Sequence, residues 1–158
     1  MKKVLFVCLG NICRSPMGEG ALKYLVKKRG ISNRYRIDSA GTSAHHVGEK
    51  TDQRMRETSL KHGIELTSKS QQVTIDDFDN FDLILAMDKD NYQNLENLAF
   101  KHGKSTSNLK LMREFDSIPE DMNVPDPYYG GDVGFENVYQ IVLRSCENLL
   151  DYLEKKAS

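Results

Sequence analysis

Residues 3–16 read KVLFVCLGNICRSP and pass from an apolar run through a polar loop to a helix start. The apolar run ends at Cys8 and is typical of a strand that is buried on both faces. The loop extends from Leu9 to Ser15, and Pro16 then fits the first position of a helix with Ser15 as its N-cap. This stretch predicts a strand, a loop and a helix in succession, as at the start of a parallel sheet.

The rest of the chain repeats this alternation of strand and helix patterns. We predict further strands at residues 35–39, 83–86 and 108–112, and further helices at residues 52–62, 88–100 and 135–155. Asp88 is expected to N-cap the helix that follows the third strand. Residues 113–134 hold three of the four prolines, which is typical of a long functional loop. The pattern predicts one α/β domain over residues 1–158, with a parallel sheet covered by helices on both faces.

The composition excludes several classes of protein. With 158 residues, 23 acidic and 22 basic side chains and a net charge of −1, nothing favours nucleic acid or an anionic membrane as the main partner. The longest apolar run near the N-terminus is too short for a signal peptide or a membrane span. Three cysteines cannot all pair, so the chain is not a disulfide scaffold. We therefore expect a cytoplasmic protein.

The loop after the first strand carries residue types suited to binding an anion. A loop that leads into a helix N-terminus directs backbone N–H groups and the helix dipole towards a bound anion. Gly10 and Asn11 tolerate the positive φ that a tight curl needs, and Arg14 offers a planar fork for two phosphate oxygens. The positive field favours the thiolate of Cys8 as a nucleophile towards phosphorus, with Ser15 placed to donate to its sulfur. The C-x5-R pattern alone fits equally well a buried cysteine followed by a surface arginine.

The proline-rich segment contains a candidate proton donor. Asp126 lies between two prolines, and Pro127 favours an extended backbone for it. A carboxyl group here would protonate the leaving oxygen of a phosphate ester and then accept a proton from water. Tyr128 and Tyr129 would form an aromatic wall beside it. On its own the segment fits an ordinary turn with two half-buried tyrosines.

These stretches together resemble the low-molecular-weight protein tyrosine phosphatases. The matching segments are VLFVCLGNICRSP at the start, DSAGTS from Asp38, FDLILAMD from Phe81 and DPYYGG from Asp126. The resemblance implies a four-stranded parallel sheet and hydrolysis of phosphomonoesters through a phosphocysteine, with no metal and no cofactor. It assigns Cys8 as the nucleophile, Arg14 as the phosphate clamp and Asp126 as the acid and base.

The resemblance also assigns supporting residues. It implies a phosphate-binding loop made of Leu9, Gly10, Asn11, Ile12, Cys13 and Ser15. Ser39 joins Asn11 and Ser15 in a polar network that holds the loop. Cys13 matches a second cysteine that closes a reversible disulfide on the nucleophile. The implied partners are tyrosine-phosphorylated proteins, with phosphate-like oxyanions as inhibitors. We expect a monomer, with the tyrosines beside the cleft able to support weak self-association.

Two positions depart from the pattern of many family members, and a third bears on the choice of substrate. Ser68 stands where some members have a histidine of the polar network, so the network must be completed differently. His45 stands near a position commonly held by a bulky aromatic that walls the substrate cleft. Ile12 is the residue type of the tyrosine-specific members, whereas related phosphoarginine phosphatases carry threonine there.

Other functions fit the sequence less well. Thioredoxin-coupled arsenate reductases share the C-x5-R loop but need two more cysteines in the second half, where this chain has only Cys146, on the apolar stripe of the last helix. A non-enzymatic phosphate binder would need neither Cys8 nor Asp126. A metal site at His45 and His46 lacks the spacing of known ligand sets.

Overall fold

The computed structural model describes residues 1–118 and 121–157, except for the side chains of Tyr129, Asp132 and Ala157. A parallel sheet of four strands forms its centre, in the order β2-β1-β3-β4. The strands are β1 (Lys2–Cys8), β2 (Tyr35–Gly41), β3 (Leu83–Ala86) and β4 (Leu109–Leu111). The predicted fold class is therefore confirmed.

The central strand β1 supplies side chains to the cores on both faces of the sheet. Val4, Phe6 and Cys8 lie in one apolar cluster, and Leu5 and Val7 lie in the other. This alternation explains why the strand reads as an unbroken apolar run, because each face of a sheet receives every second residue.

Helices cover both faces. The helices are α1 (Arg14–Lys28), α2 (Gln53–Lys61), α3 (Asp77–Asn80), α4 (Lys89–Lys101) and α5 (Gly131–Ala157). Residues of α1, α2 and α5 belong to the first cluster, which includes the fully buried Cys146, as predicted. Residues of α3 and α4 belong to the second cluster. Among the described residues, no helix has the length and apolar character needed to cross a bilayer.

Several predicted boundaries are wrong. Helix α1 begins at Arg14 with Cys13 as its N-cap, so Ser15 is not the cap and Pro16 is not the first helical residue. The Ser15 hydroxyl is instead engaged with Cys8 and Asn11, which leaves it unable to cap the helix. The long loop is also less irregular than predicted, because 3-10 turns form at Met112–Phe115 and Pro127–Tyr129 and α5 starts four residues early. The short helix α3 was not predicted.

Candidate active site

A cavity opens at the carboxyl end of β1, where ligands bind in open parallel sheets. Its volume is about 410 Å³. Its lining includes Cys8, Arg14, Asp126 and Tyr128. The remaining lining residues are Leu9, Gly10, Ile12, Cys13, Ser43, His45, His46 and Pro127. Residues from the two segments singled out in the sequence thus meet at one cavity.

The backbone carbonyls of the phosphate loop, residues 8–15, are tied to groups outside it. The bonds are from Thr42 N–H to Cys8 O (2.9 Å), Ser43 N–H to Leu9 O (3.0 Å), the Ser70 hydroxyl to Gly10 O (2.9 Å), Asp52 N–H to Ile12 O (2.7 Å) and Met17 N–H to Cys13 O (3.2 Å). In a trans peptide unit the next N–H points opposite to the carbonyl. The N–H groups of Leu9, Gly10, Asn11, Cys13 and Arg14 therefore point away from these partners, as N–H groups do in a loop that binds an anion.

The tight curl of this loop depends on Asn11. Its φ is +56°, a left-handed conformation that asparagine tolerates better than most residues. Gly10, the other residue that tolerates a positive φ, does not adopt one. A Cβ at Gly10 would lie 2.9 Å from Cδ2 of His46, so a larger residue there would displace that ring.

A buried network of polar side chains supports the loop from beneath. Asn11 Nδ2 donates to Ser15 Oγ (2.7 Å) and to Ser39 Oγ (3.0 Å). Ser39 in turn donates to Glu19 Oε1 (2.6 Å), and Lys23 pairs with Glu19 Oε2 (2.6 Å). Sequence reasoning missed Glu19, although its place four residues after Ser15 puts both side chains on one helix face.

Gln71, rather than Ser68, completes the network. Gln71 N–H donates to Asn11 Oδ1 (2.9 Å), and Gln71 Nε2 donates to Ser39 O (2.9 Å). All the polar atoms of the Asn11 amide are thereby engaged, and the side chain is only 1% exposed. Such fully satisfied buried networks hold one conformation, because any alternative leaves a polar group unpaired.

The nucleophile candidate lies directly above this network. Cys8 Sγ is 3.0 Å from Ser15 Oγ, and both residues are buried. A hydroxyl at this distance stabilises negative charge on the sulfur, whether the thiolate is attacking or leaving.

The guanidinium of Arg14 is held in a fixed orientation. Nη1 donates to Asp88 Oδ2 (2.7 Å) and to Val124 O (3.0 Å). Asp88 also accepts from Asn91 N–H (2.7 Å), so its predicted N-cap role is confirmed and it positions Arg14 as well. The second role of Asp88 was not predicted.

Asp126 lies in the wall of the cavity on an exposed turn. Its Oδ1 accepts a hydrogen bond from Tyr128 N–H (3.0 Å) and caps the 3-10 turn at Pro127–Tyr129. The ring of Tyr128 lines the cavity, as predicted. The side chain of Tyr129, predicted to do the same, lies outside the described residues.

His45 and His46 also line the cavity. Their rings meet edge to face at 4.8 Å, and His46 Nδ1 lies 2.6 Å from Glu49 Oε2. Nearby, Gly41 allows the end of β2 to approach the loop, since a Cβ there would lie 2.7 Å from Leu9 O. The histidines thus occupy the place expected for an aromatic wall.

Cys13 lies beside the nucleophile in a different electrostatic environment. Burial and the charge of Asp52 raise the pKa of Cys13 to about 12. Its thiol is therefore protonated at neutral pH in the resting site. Within residues 1–118 and 121–157, no three His, Cys, Asp or Glu side chains are grouped so as to hold a metal ion.

The fold and the site together define a class of α/β proteins that hold a thiol inside an anion-binding loop between the first strand and the first helix. The family model described as low molecular weight phosphotyrosine protein phosphatase matches residues 3–158. The chain belongs to this family and is an enzyme of the protein tyrosine phosphatase class.

Individual relatives agree over nearly the whole chain. The rat low molecular weight phosphotyrosine protein phosphatase is 41% identical, with 95% of this chain and 94% of the relative covered. A crystal structure of a protein tyrosine phosphatase from Entamoeba histolytica is 41% identical with a TM-score of 0.93, covering 100% of both chains. A Drosophila arginine phosphatase is 37% identical with a TM-score of 0.89, covering 97% of this chain and 98% of that one.

Proposed function

We propose that the chain, as one catalytic domain over residues 1–158, hydrolyses phosphotyrosine in proteins through a phosphocysteine. The observation that carries this proposal is the cavity in which Cys8, Arg14 and Asp126 meet. The backbone N–H groups of the phosphate loop and the Arg14 guanidinium would bind the three non-bridging phosphate oxygens. Phosphate and similar oxyanions should therefore act as competitive inhibitors.

In the first step, the Cys8 thiolate attacks phosphorus and the bond to the tyrosyl oxygen breaks. Asp126 gives its proton to that oxygen, because a phenoxide with a conjugate-acid pKa of about 10 is otherwise a poor leaving group. In the second step, water attacks the phosphocysteine and Asp126 accepts a proton from it. The thiolate leaves with the Ser15 hydroxyl donating to its sulfur, and inorganic phosphate is released.

The cavity walls favour an aromatic phosphate ester. Tyr128, Ile12, His45 and His46 line the same cavity as Cys8. A phenyl group stacks and packs in such surroundings. The similarity to the Drosophila arginine phosphatase makes phosphoarginine the alternative substrate, and Ile12 in place of threonine favours phosphotyrosine.

Cys13 is proposed to protect the nucleophile from oxidation. Peroxide would convert the Cys8 thiolate to a sulfenic acid, and the Cys13 thiol would displace water from it to form a disulfide. A thiol reductant would restore both cysteines. All three cysteines are free and buried, which fits the reducing cytoplasm expected from the sequence.

The test is hydrolysis of p-nitrophenyl phosphate by the reduced protein in the presence of EDTA. We expect chelator-resistant turnover that Cys8→Ser abolishes, with phosphate binding retained in the variant. A phosphotyrosine peptide and phosphoarginine are then compared by kcat/KM. Turnover that survives Cys8→Ser would overturn the mechanism, and a preference for phosphoarginine would overturn the substrate.

A further inference from the structure

Asp126 lies in a turn over residues 124–129, the acid turn. Its N-terminal side is anchored by the phosphate site. Val124 is buried, and its N–H donates to Met87 O (2.8 Å) while its carbonyl accepts from Arg14 (3.0 Å). Asp126 follows two residues later and is exposed. This single anchor holds Val124 in place, but the rest of the turn could still rotate about it relative to the cavity.

A second anchor on the C-terminal side comes from α2. The guanidinium of Arg54 lies over the ring of Tyr128, 5.1 Å from its centroid, and over the ring of Phe135 at 4.8 Å. These distances are typical of cation–π contacts. The Tyr128 hydroxyl points at Asp52 Oδ2 over 3.4 Å, and Tyr128 N–H donates to Asp126 itself.

Asp52 connects this second anchor to the phosphate loop. Its N–H donates to Ile12 O (2.7 Å). Its carboxylate accepts from Arg54 N–H (2.8 Å) and pairs with Arg54 Nη2 (3.2 Å). The Asp52–Arg54 pair therefore touches the phosphate loop through Ile12 and the acid turn through Tyr128.

The helix that carries the pair is itself fixed to the core. At the other end of α2, His62 Nε2 lies 2.8 Å from Glu136 Oε1, and its ring stacks on Tyr139 at 3.8 Å. Both partners belong to α5. These contacts join the C-terminal end of α2 to α5, while the Asp52–Arg54 pair lies at its N-terminal end.

We propose that the Asp52–Arg54 pair positions Asp126 over the phosphate loop and so makes proton transfer to the leaving oxygen efficient. Arg54 is a positioning residue that acts through Tyr128 and Asp126. The inference rests on the proposed function and adds a specific element to it, namely what sets the distance between the acid and the phosphate.

The test compares Arg54→Ala with a matched control, Arg36→Ala. Arg36 also pairs with an aspartate two residues away, Asp38 (3.1 Å), and also lies over an aromatic ring, Phe81 (5.7 Å). It lies on β2, outside the cavity lining. Both variants lose an arginine that pairs with an aspartate and lies over an aromatic ring, and Arg54 lies over a second ring as well.

The measurement is kcat/KM for a series of aryl phosphates from p-nitrophenyl to phenyl phosphate. Because kcat/KM covers the steps through cleavage of the ester, it reports the proton transfer to the leaving group. A general acid contributes about 10²–10⁴-fold, so we expect Arg54→Ala to lose about tenfold on phenyl phosphate and under about twofold on p-nitrophenyl phosphate. Arg36→Ala should follow the wild type across the series, and Arg54→Lys should recover part of the loss.

Combination with Asp126→Ala separates positioning from a structural role. If Arg54 acts through Asp126, Arg54→Ala causes no further loss in the Asp126→Ala background. The proposal would be overturned if Arg54→Ala lowered kcat/KM equally in both backgrounds, or equally for all the aryl phosphates. This holds also for a variant that is as stable to heat as the wild type. Failure of the wild type to hydrolyse any aryl phosphate would instead overturn the proposed function.

Discussion

Replacement of Asn11 tests whether the buried network holds the phosphate loop in shape. Asn11→Ala removes three hydrogen bonds, those to Ser15, to Ser39 and from Gln71 N–H. At about 1 kcal/mol each, the network contributes about 3 kcal/mol to the free energy of unfolding. Alanine at a φ of +56° costs about 1 kcal/mol more, because its Cβ crowds the backbone there.

Asn11→Gly separates the two contributions. Glycine loses the same hydrogen bonds but adopts positive φ freely. We expect Asn11→Ala to lower the free energy of unfolding by about 4 kcal/mol and Asn11→Gly by about 3 kcal/mol. Urea unfolding measures both values, and an unchanged m value keeps the comparison valid.

Phosphate affinity shows whether the loss of stability belongs to the site. Calorimetric titration with inorganic phosphate should give at least tenfold weaker binding for both Asn11 variants. Asn108→Ala is the control, because Asn108 also donates two hydrogen bonds, to Phe78 O (3.1 Å) and Phe81 O (2.9 Å), away from the cavity. It should lose stability and keep the affinity. Wild-type affinity in Asn11→Ala would refute the role of the network, and equal stability of the alanine and glycine variants would refute the backbone argument.

Three further outcomes are expected. Asp126→Ala should lower kcat/KM by about 100-fold on phenyl phosphate and by less on p-nitrophenyl phosphate, and equal losses across the series would remove Asp126 from the acid role. After mild peroxide, the wild type should recover with a thiol reductant while Cys13→Ser does not; full recovery of the variant would rule out protection by Cys13. Burial alone would raise the pKa of Asp116, but hydrogen bonds from Arg144 and Ile118 N–H and the charges of Arg144 and Arg113 lower it from 3.8 to about 2. The folded state should therefore lose about 2 kcal/mol as the pH falls from about 3.8 to 2, and Asp116→Asn should remove that part of the acid dependence in pH-dependent urea unfolding.

The strands and the long helices could be predicted because their signals are local. In β1 the apolar run alone indicates burial on both faces, and the C-x5-R pattern that follows it locates the cavity. The α5 stripe, which includes Phe135 and Cys146, has the helical period, so the helix itself is predictable even though its first turn is not. Gly131 and Gly134 make the first turn of α5 look like a loop in the sequence. In the fold, Gly134 packs against Pro127 O, where a Cβ would lie only 2.9 Å away, and this contact cannot be read from the local sequence.

The supporting residues could not be predicted because their roles depend on distant partners. Arg54 is an ordinary surface arginine until the fold places Tyr128 beside it, 74 residues further along the chain. The second role of Asp88 depends in the same way on Arg14. Ser15 misled the prediction of the helix start for a related reason, since its hydroxyl is a good cap in isolation and is used by Cys8 and Asn11 in the fold.

The site divides into a rigid part and an adjustable part, and the division follows from how each is bonded. The phosphate loop is tied through its carbonyls to groups on several segments of the chain and through the fully bonded Asn11 amide to a polar network. Gln71 and Glu19 complete this network by bonding to Asn11 and Ser39. The acid turn is bonded at its two ends and exposed at Asp126, so its geometry depends on single contacts. Differences in substrate preference between members of this fold should therefore arise mainly from the acid turn and its contacts, because a change there leaves the phosphate loop intact.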